Sequence, residues 1–237
     1  MRKSQLIERI KNLFLNVLFP KECVNCFKEG SWVCQSCLAN INISNKFVCP
    51  SCNGAKAGWY LCGSCRVKGY PLDSLIFVSS YRDKIIQKLI HLLKYNYCEE
   101  VSSDLSKIML KFFNKYVNAF PKVDLIASVP LHKNRLQKRG FNQSEVIGKK
   151  LAEILQVEFY DDILIRIKQA LPQVELARSE RLTNVLGSFL VTKRNIDKKN
   201  ILLVDDVYTT GATLKECARV LKNAGAREVH GFVIARG

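Results

Sequence analysis

Two adjacent carboxylates, Asp205 and Asp206, separate an apolar run from a hydroxyl-rich turn in the segment Ile201-Leu202-Leu203-Val204-Asp205-Asp206-Val207-Tyr208-Thr209-Thr210-Gly211-Ala212-Thr213. Four consecutive aliphatic residues bounded by a turn suit a buried parallel strand. An amphipathic helix is expected from about Thr213 to Asn223. Thr209, Thr210, Gly211, Ala212 and Thr213 then set backbone N–H groups and hydroxyls at a helix N-terminus, where donors and dipole favour a phosphate. Two acids ahead of an anion site would repel its occupant unless they served another group. Binding the vicinal hydroxyls of a ribose whose 5-phosphate fills the turn reconciles the two features.

A second chemistry is written in the cysteines. Eight of the ten fall in four identically spaced pairs, Cys23-x2-Cys26, Cys34-x2-Cys37, Cys49-x2-Cys52 and Cys62-x2-Cys65, within 43 residues. Each pair can offer two thiolates to one tetrahedral metal, and two pairs complete a four-cysteine zinc site. The segment has too little apolar content for a core of its own, so metal cross-linking would supply its folding energy. Disulfides are disfavoured because the N-terminus does not read as a secretion signal. Sequential pairing assigns Cys23, Cys26, Cys34 and Cys37 to one ion and Cys49, Cys52, Cys62 and Cys65 to the other. A cross-braced pairing, first with third and second with fourth, fits the same spacing. With no ligand position left open, both sites read as structural. Cys98 and Cys217 read as packed thiols.

The elements that must position these groups follow from periodicity. Leu75–Ser80, Leu125–Val129, the stretch near 160–166, the run at 201–205 and the stretch at 229–235 read as strands. Helical patterns lie between them at Tyr81–Tyr95, Val101–Phe120 and from Asn142 through Leu155. Such alternation predicts a doubly wound, mainly parallel α/β sheet with its ligand at the carboxyl ends of the strands. Strand 125–129 runs into Pro130-Leu131-His132-Lys133, followed by Arg135, Lys138, Arg139 and Gly140-Phe141-Asn142-Gln143, a basic turn suited to a pyrophosphate. Asn142 can equally cap the helix that follows. Lys84, Lys88, His91 and Tyr95 share a stripe on the 81–95 helix; with Lys94 and Tyr97 nearby, it reads as a solvated face or a single-stranded nucleic-acid surface.

At 237 residues the chain can hold one sizeable α/β core and a small module. The division expected is an amphipathic helix over 1–20, a zinc-binding module over 21–70 and a larger domain over 71–237. No apolar run is long enough to span a membrane, and residues 1–20 read as a packed helix or one resting on a membrane surface. The formal net charge is +16. Two zinc ions, each held by four thiolates at about −2 overall, would bring it nearer +12, still suited to a polyanionic partner.

The segment 201–213 resembles the phosphoribosyl pyrophosphate (PRPP) loop of type I phosphoribosyltransferases. The resemblance implies that Asp205 and Asp206 hold the ribose hydroxyls and that Thr209 to Thr213 hold the 5-phosphate. The order of Val129-Pro130-Leu131, Arg139-Gly140-Phe141-Asn142-Gln143, Gln173-x2-Leu176, Arg181-x2-Asn184, Phe189 and the acidic pair is similar to the ComF family, over essentially residues 18–237. Its competence members, often called ComFC, carry a cysteine-rich zinc module ahead of a transferase-like domain. The resemblance implies Mg2+ and PRPP as ligands and a cytoplasmic place, at or near the membrane's inner face, among DNA-uptake proteins. It also implies a pyrophosphate loop at Val129, Pro130, Leu131 and His132 with Lys133 and Arg135 nearby. Arg139, Gly140, Asn142 and Gln143 would then sit on a mobile element that closes over the substrate. Two roles remain open: an enzyme transferring the ribosyl group to an unidentified acceptor, or a PRPP-responsive protein that handles single-stranded DNA. A nucleobase-salvage enzyme would need neither the eight paired cysteines nor so basic a surface. His132 is a candidate general base, although a lone histidine is more often structural.

Overall fold

The computed structural model describes residues 21–56, 58–94, 98–168, 185–192 and 195–237, without the side chains of 98–100. The expected helix over 1–20, Tyr95 and Tyr97, and the positions Gln173, Leu176, Arg181 and Asn184 lie outside the described residues, as does the side chain of Cys98.

The metal module opens the described chain with α1 (Gln35–Asn40), a two-stranded ribbon of β1 (Phe47–Val48) and β2 (Ala55–Lys56), and α2 (Gly63–Val67). After it come β3 (Ser74–Ser80), α3 (Lys84–Lys94), α4 (Cys98–Tyr116), a 3-10 turn (Val117–Ala119) and β4 (Leu125–Ser128). Next are α5 (Lys133–Arg139), α6 (Gln143–Leu155), β5 (Phe159–Tyr160), β6 (Leu164–Arg166) and β7 (Phe189–Val191). The chain closes with β8 (Asn200–Tyr208), α7 (Ala212–Asn223) and β9 (Glu228–Arg236).

The main sheet has the order β3-β9-β8-β4-β5, and every neighbouring pair is parallel. Strands covered on both faces need aliphatic residues on both, which is why β8 reads as a continuous run. Leu202 and Val204 point to one core with Ile76, Ile126 and Phe232, beneath α3, α4 and α6. Ile201 and Leu203 point to the other with Leu75, Leu125 and Val233, beneath α7. This is the doubly wound, parallel α/β architecture that the alternation of strands and helices predicts, with two four-cysteine clusters ahead of it.

The single strand expected near 160–166 is two elements. Exposed Asp161 and Asp162 break it, because two successive carboxylates do not stay within a buried sheet. The part before them adds β5 to the sheet edge, while β6 pairs antiparallel with β7 in a separate ribbon. The basic turn after β4 is also more regular than expected, since Lys133–Arg139 form α5 and Gly140 ends it in the left-handed region at φ 80°.

The metal module shares the core of the sheet. Cys23, Val33, Ile41 and Trp59 pack into the same cluster as Phe112 and Phe232. Polar bonds fasten it as well: Val33 N–H donates to buried Asp104 at 3.1 Å, and Lys111 Nζ donates to the carbonyls of Ala39 and Ile41 at 2.6 and 2.9 Å.

Candidate functional site

The carboxyl ends of β4 and β8 open onto a cleft of about 300 Å³. β8 carries Asp205 and Asp206 while still strand, since its pairing with β9 continues to Tyr208. One β-strand thus delivers both acids to the cleft as fixed side chains. Asp205 Oδ1 accepts from Ser144 Oγ and from the Asp206 N–H, each at 2.9 Å. Burial first, and the Asp206 charge second, push the Asp205 carboxyl up to about 7. Asp206 pairs with Lys94 Nζ at 3.1 Å.

The turn after β8 folds as a bare helix start. Gly211 sits at φ 76° as the N-cap of α7 and contributes no capping side chain. A Cβ there would overlap the Tyr208 ring, so glycine is required both for its backbone angle and for space. Thr210 Oγ1 accepts weakly from Ala212 N–H at 3.4 Å. Apart from that long contact, the start of α7 has no side-chain cap from its N-cap residue, the arrangement that receives an anion.

Pro130 and Leu131 form the opposite wall, and Arg135 and Arg139 of α5 reach the cleft from beyond it. Val129 N–H donates to the Val204 carbonyl at 2.9 Å, which ties this wall to the acidic strand. Asn142 holds the turn between α5 and α6: its Oδ1 accepts from Ser144 N–H at 3.2 Å and its Nδ2 donates to the Val129 carbonyl at 3.0 Å. The capping reading of Asn142 is therefore realised. His132 caps α5, its Nδ1 accepting from Asn134 N–H at 3.3 Å, which is the structural role expected of a lone histidine.

Of the residues marked by sequence, Val129, Pro130, Leu131, Arg135, Arg139 and Gln143 line one side of the cleft. Asp205, Asp206, Thr209, Gly211, Ala212 and Thr213 line the other. His132, Lys133, Gly140, Asn142 and Thr210 do not line it. The sequence reading missed Ser144, Tyr81 and Arg166, all on the lining. Ser144 and Arg166 carried a weak signal, a hydroxyl just after a helix cap and a charge closing the apolar run Ile163–Ile165. Gln143 Nε2 and the Nε and Nη2 atoms of Arg166 are buried without hydrogen-bond partners among the described residues. Orphaned donors on the wall of a cleft fit a ligand rich in oxygen acceptors.

The cysteines gather as two clusters, Cys23, Cys26, Cys34 and Cys37, and Cys49, Cys52, Cys62 and Cys65. The sequential pairing is thus realised and the cross-braced one is not. In each cluster the sulfurs lie within 4.8 Å of one another. Cys26 and Cys34 stand at 3.5 Å and Cys52 and Cys62 at 3.8 Å. These separations are close to the ~3.8 Å edge of a tetrahedron with ~2.3 Å metal–sulfur bonds. Each site combines a tight knuckle with a helix start. Phe27 and Asn53 turn the two knuckles at φ 63° and 62°, while Cys34 and Cys62 are the N-caps of α1 and α2. Burial works against ionising Cys23, but backbone donors at Cys34, Cys26 and Asn25 outweigh it and bring the thiol down to about 6. For Cys37 the Asn25 amide favours the thiolate, yet burial and three neighbouring sulfurs raise it to about 12. A dication that displaces the crowded protons fits both clusters, and bound zinc would cross-link the module.

The basic stripe on α3 is partly engaged within the protein. Lys88 Nζ donates to the Val24 carbonyl at 2.6 Å and Lys94 is paired with Asp206, while Lys84, Lys88 and His91 remain exposed. Cys217 is fully buried, as a packed thiol should be.

A phosphoribosyl transferase domain family matches residues 142–237. The chain is 30% identical over 211 residues to the DNA utilization protein YhgH of Escherichia coli (strain K12), covering 87% of this chain and 92% of that protein. It is 25% identical over 221 residues to competence protein F of Haemophilus influenzae, covering 86% and 96% of the two chains. Competence protein ComFC of Streptococcus pneumoniae is 34% identical over 132 residues, 56% of each. A cleft built from an acidic strand end and a bare helix start, preceded by paired cysteine clusters and matched along most of its length by such relatives, places the chain in the ComF/ComFC family of phosphoribosyltransferase-like proteins.

Proposed function

We propose that the cleft binds Mg2+ and PRPP, and that the protein uses this site in handling single-stranded DNA during DNA uptake. One observation carries the first half: a strand-borne acidic pair and an uncapped helix N-terminus share a cleft whose wall holds orphaned donors. Asp205 and Asp206 take the ribose hydroxyls, and the Thr209–Thr213 turn takes the 5-phosphate. Arg135 and Arg139 balance the pyrophosphate, with the 139–143 turn as the element that adjusts around it. Mg2+ supplies positive charge to the pyrophosphate oxygens. The two cysteine clusters hold zinc as structural cross-links.

The DNA half draws on the names of the relatives and on charge. A groove of about 360 Å³ brings Phe27 and Trp32 of the metal module against Lys88 and His91 of α3. Exposed Phe27 offers a base a stacking face within a basic surround. Among the described residues no helix is long and apolar enough to cross a membrane. Contact with the inner membrane face, where uptake proteins would be partners, belongs to residues 1–20 and the basic surface.

Phosphorus NMR of PRPP and Mg2+ with zinc-loaded protein tests the ligand. Broadened PRPP signals that sharpen in Asp206→Ala support the reading, and unchanged spectra with wild-type protein sink it. Free pyrophosphate above the protein-free control would move the protein to the transferase alternative. For DNA, retention that does not weaken as salt rises would exclude phosphate-backbone binding.

A further inference from the structure

Arg166 ends β6, away from the loops that the sequence pattern marks, yet it reaches the cleft. Its Nε and Nη2 are sealed from solvent and have no hydrogen-bond partner among the described residues. Guanidinium stays protonated at any working pH, so the cost of burying it cannot be relieved by neutralisation. Burial and the nearby positive charge of Arg135 both work against its charged form. Arg135 and Arg166 thus put two guanidiniums on one cleft, a pair that a multiply charged anion can join.

The surroundings hold Arg166 in place. It stands over the Phe189 ring, Cζ 5.2 Å from the centroid, and pairs with Phe189 across the β6–β7 ribbon. The turn ahead of β7 is pinned to α7, because Gly187 N–H donates to Glu216 Oε1 at 2.7 Å. Glu216 is itself clamped by Arg219 Nε and Nη2 at 2.8 and 2.7 Å. Asp205 draws Arg166 electrostatically, but its Oδ1 already accepts from Ser144 and Asp206. Among the described residues no acceptor meets these donors, and the cleft they line is where an oxygen-rich ligand would supply one.

We propose that Arg166 is a pyrophosphate-binding residue of the cleft, acting with Arg135 on the same oxygens. This assignment rests on the PRPP reading. It favours the pyrophosphate over the 5-phosphate because the neighbouring cation is Arg135, which follows the Pro130–Leu131 wall, and not a group of the α7 turn. A forked guanidinium suits phosphate oxygens in a way that an ammonium does not.

Calorimetric titration of zinc-loaded wild type, Arg166→Gln and Arg166→Lys with magnesium pyrophosphate and, separately, ribose 5-phosphate tests it, with thermal melting alongside. Arg166→Gln should weaken pyrophosphate binding by about tenfold or more and leave ribose 5-phosphate binding unchanged. Arg166→Lys should fall between. Ligand-free Arg166→Gln should melt at or above the wild-type temperature, since it loses a buried charge that had no partner. Equal pyrophosphate binding by wild type and Arg166→Gln overturns the assignment. So does a matched loss for ribose 5-phosphate, which would put Arg166 at the other phosphate, or a lowered melting temperature, which would reveal a structural partner. Wild-type protein binding neither ligand would remove the PRPP reading, and this one with it.

Discussion

The phenolic hydroxyl of Tyr208 donates to the backbone carbonyl of Pro50 at 2.9 Å, across 158 residues of sequence. Pro50 lies inside the Cys49–Cys52 knuckle, and the Tyr208 ring occupies the space that a side chain on Gly211 would need. Arg236 adds a second tie, donating to Asn53 Oδ1 at 2.7 Å. The second cysteine cluster and the phosphate turn therefore share one tyrosine. Tyr208→Phe should cost about 1 kcal/mol of stability. It should also release zinc faster from one of the two sites under a colorimetric chelator. Coupling is reciprocal, so PRPP should slow that release in wild type and do so less in the variant. Identical release kinetics in all four conditions would show the contact to be idle.

Gly211→Ala should be more severe. The new methyl meets the Tyr208 ring at a left-handed backbone position, so the turn must distort. Ribose 5-phosphate affinity should fall at least about tenfold, while zinc content by atomic absorption stays at two per chain.

A pH dependence follows from Asp205, whose carboxyl is raised to about 7 against about 3.9 for a free aspartate. The fold prefers its protonated form, so its stabilising contribution is complete below about pH 4 and lost as pH rises through about 7. Ligand-free wild type should lose melting temperature from about pH 4 to about pH 7 relative to Asp205→Asn. Ribose binding needs the carboxylate as acceptor, so PRPP affinity should rise through the same window. A profile parallel to that of Asp205→Asn would refute the assignment.

Lys94→Met should separate the two surfaces that the sequence left joined. Its partner is Asp206, so its loss should tighten Mg2+ binding several-fold by leaving the acidic pair uncompensated. DNA retention should hardly change. The opposite pattern, weaker DNA binding with unaltered Mg2+ affinity, would return Lys94 to the nucleic-acid surface.

Cys23→Ser, or chelation of zinc, should be felt beyond the module. Cys23 and Ile41 pack in the same core as Phe112 and Phe232, so far-ultraviolet circular dichroism and zinc release should trace one transition. Two well-separated transitions would show a module that unfolds by itself.

The residues that act through local order were legible. Adjacent carboxylates before a hydroxyl-rich turn, and Cys-x2-Cys pairs, encode their geometry within a few residues, and the aliphatic runs marked most strands of the parallel sheet. What escaped depended on partners far along the chain. Lys94 reads as one more cation on a basic stripe until the fold sets it against Asp206. Arg166 reads as the polar end of a strand until β7 and α7 enclose it. The break at Asp161 and Asp162 was visible as composition, but a short strand on either side gave no period long enough to tell one element from two.

β9 lies between β3 and β8 and contributes Phe232 to one core and Val233 to the other. A ribosome delivers these nine residues after every other described element. Until they emerge, β3 and β8 each present an unpaired edge, and neither core can close. Closure of the sheet thus waits for β9, however early the elements before it form.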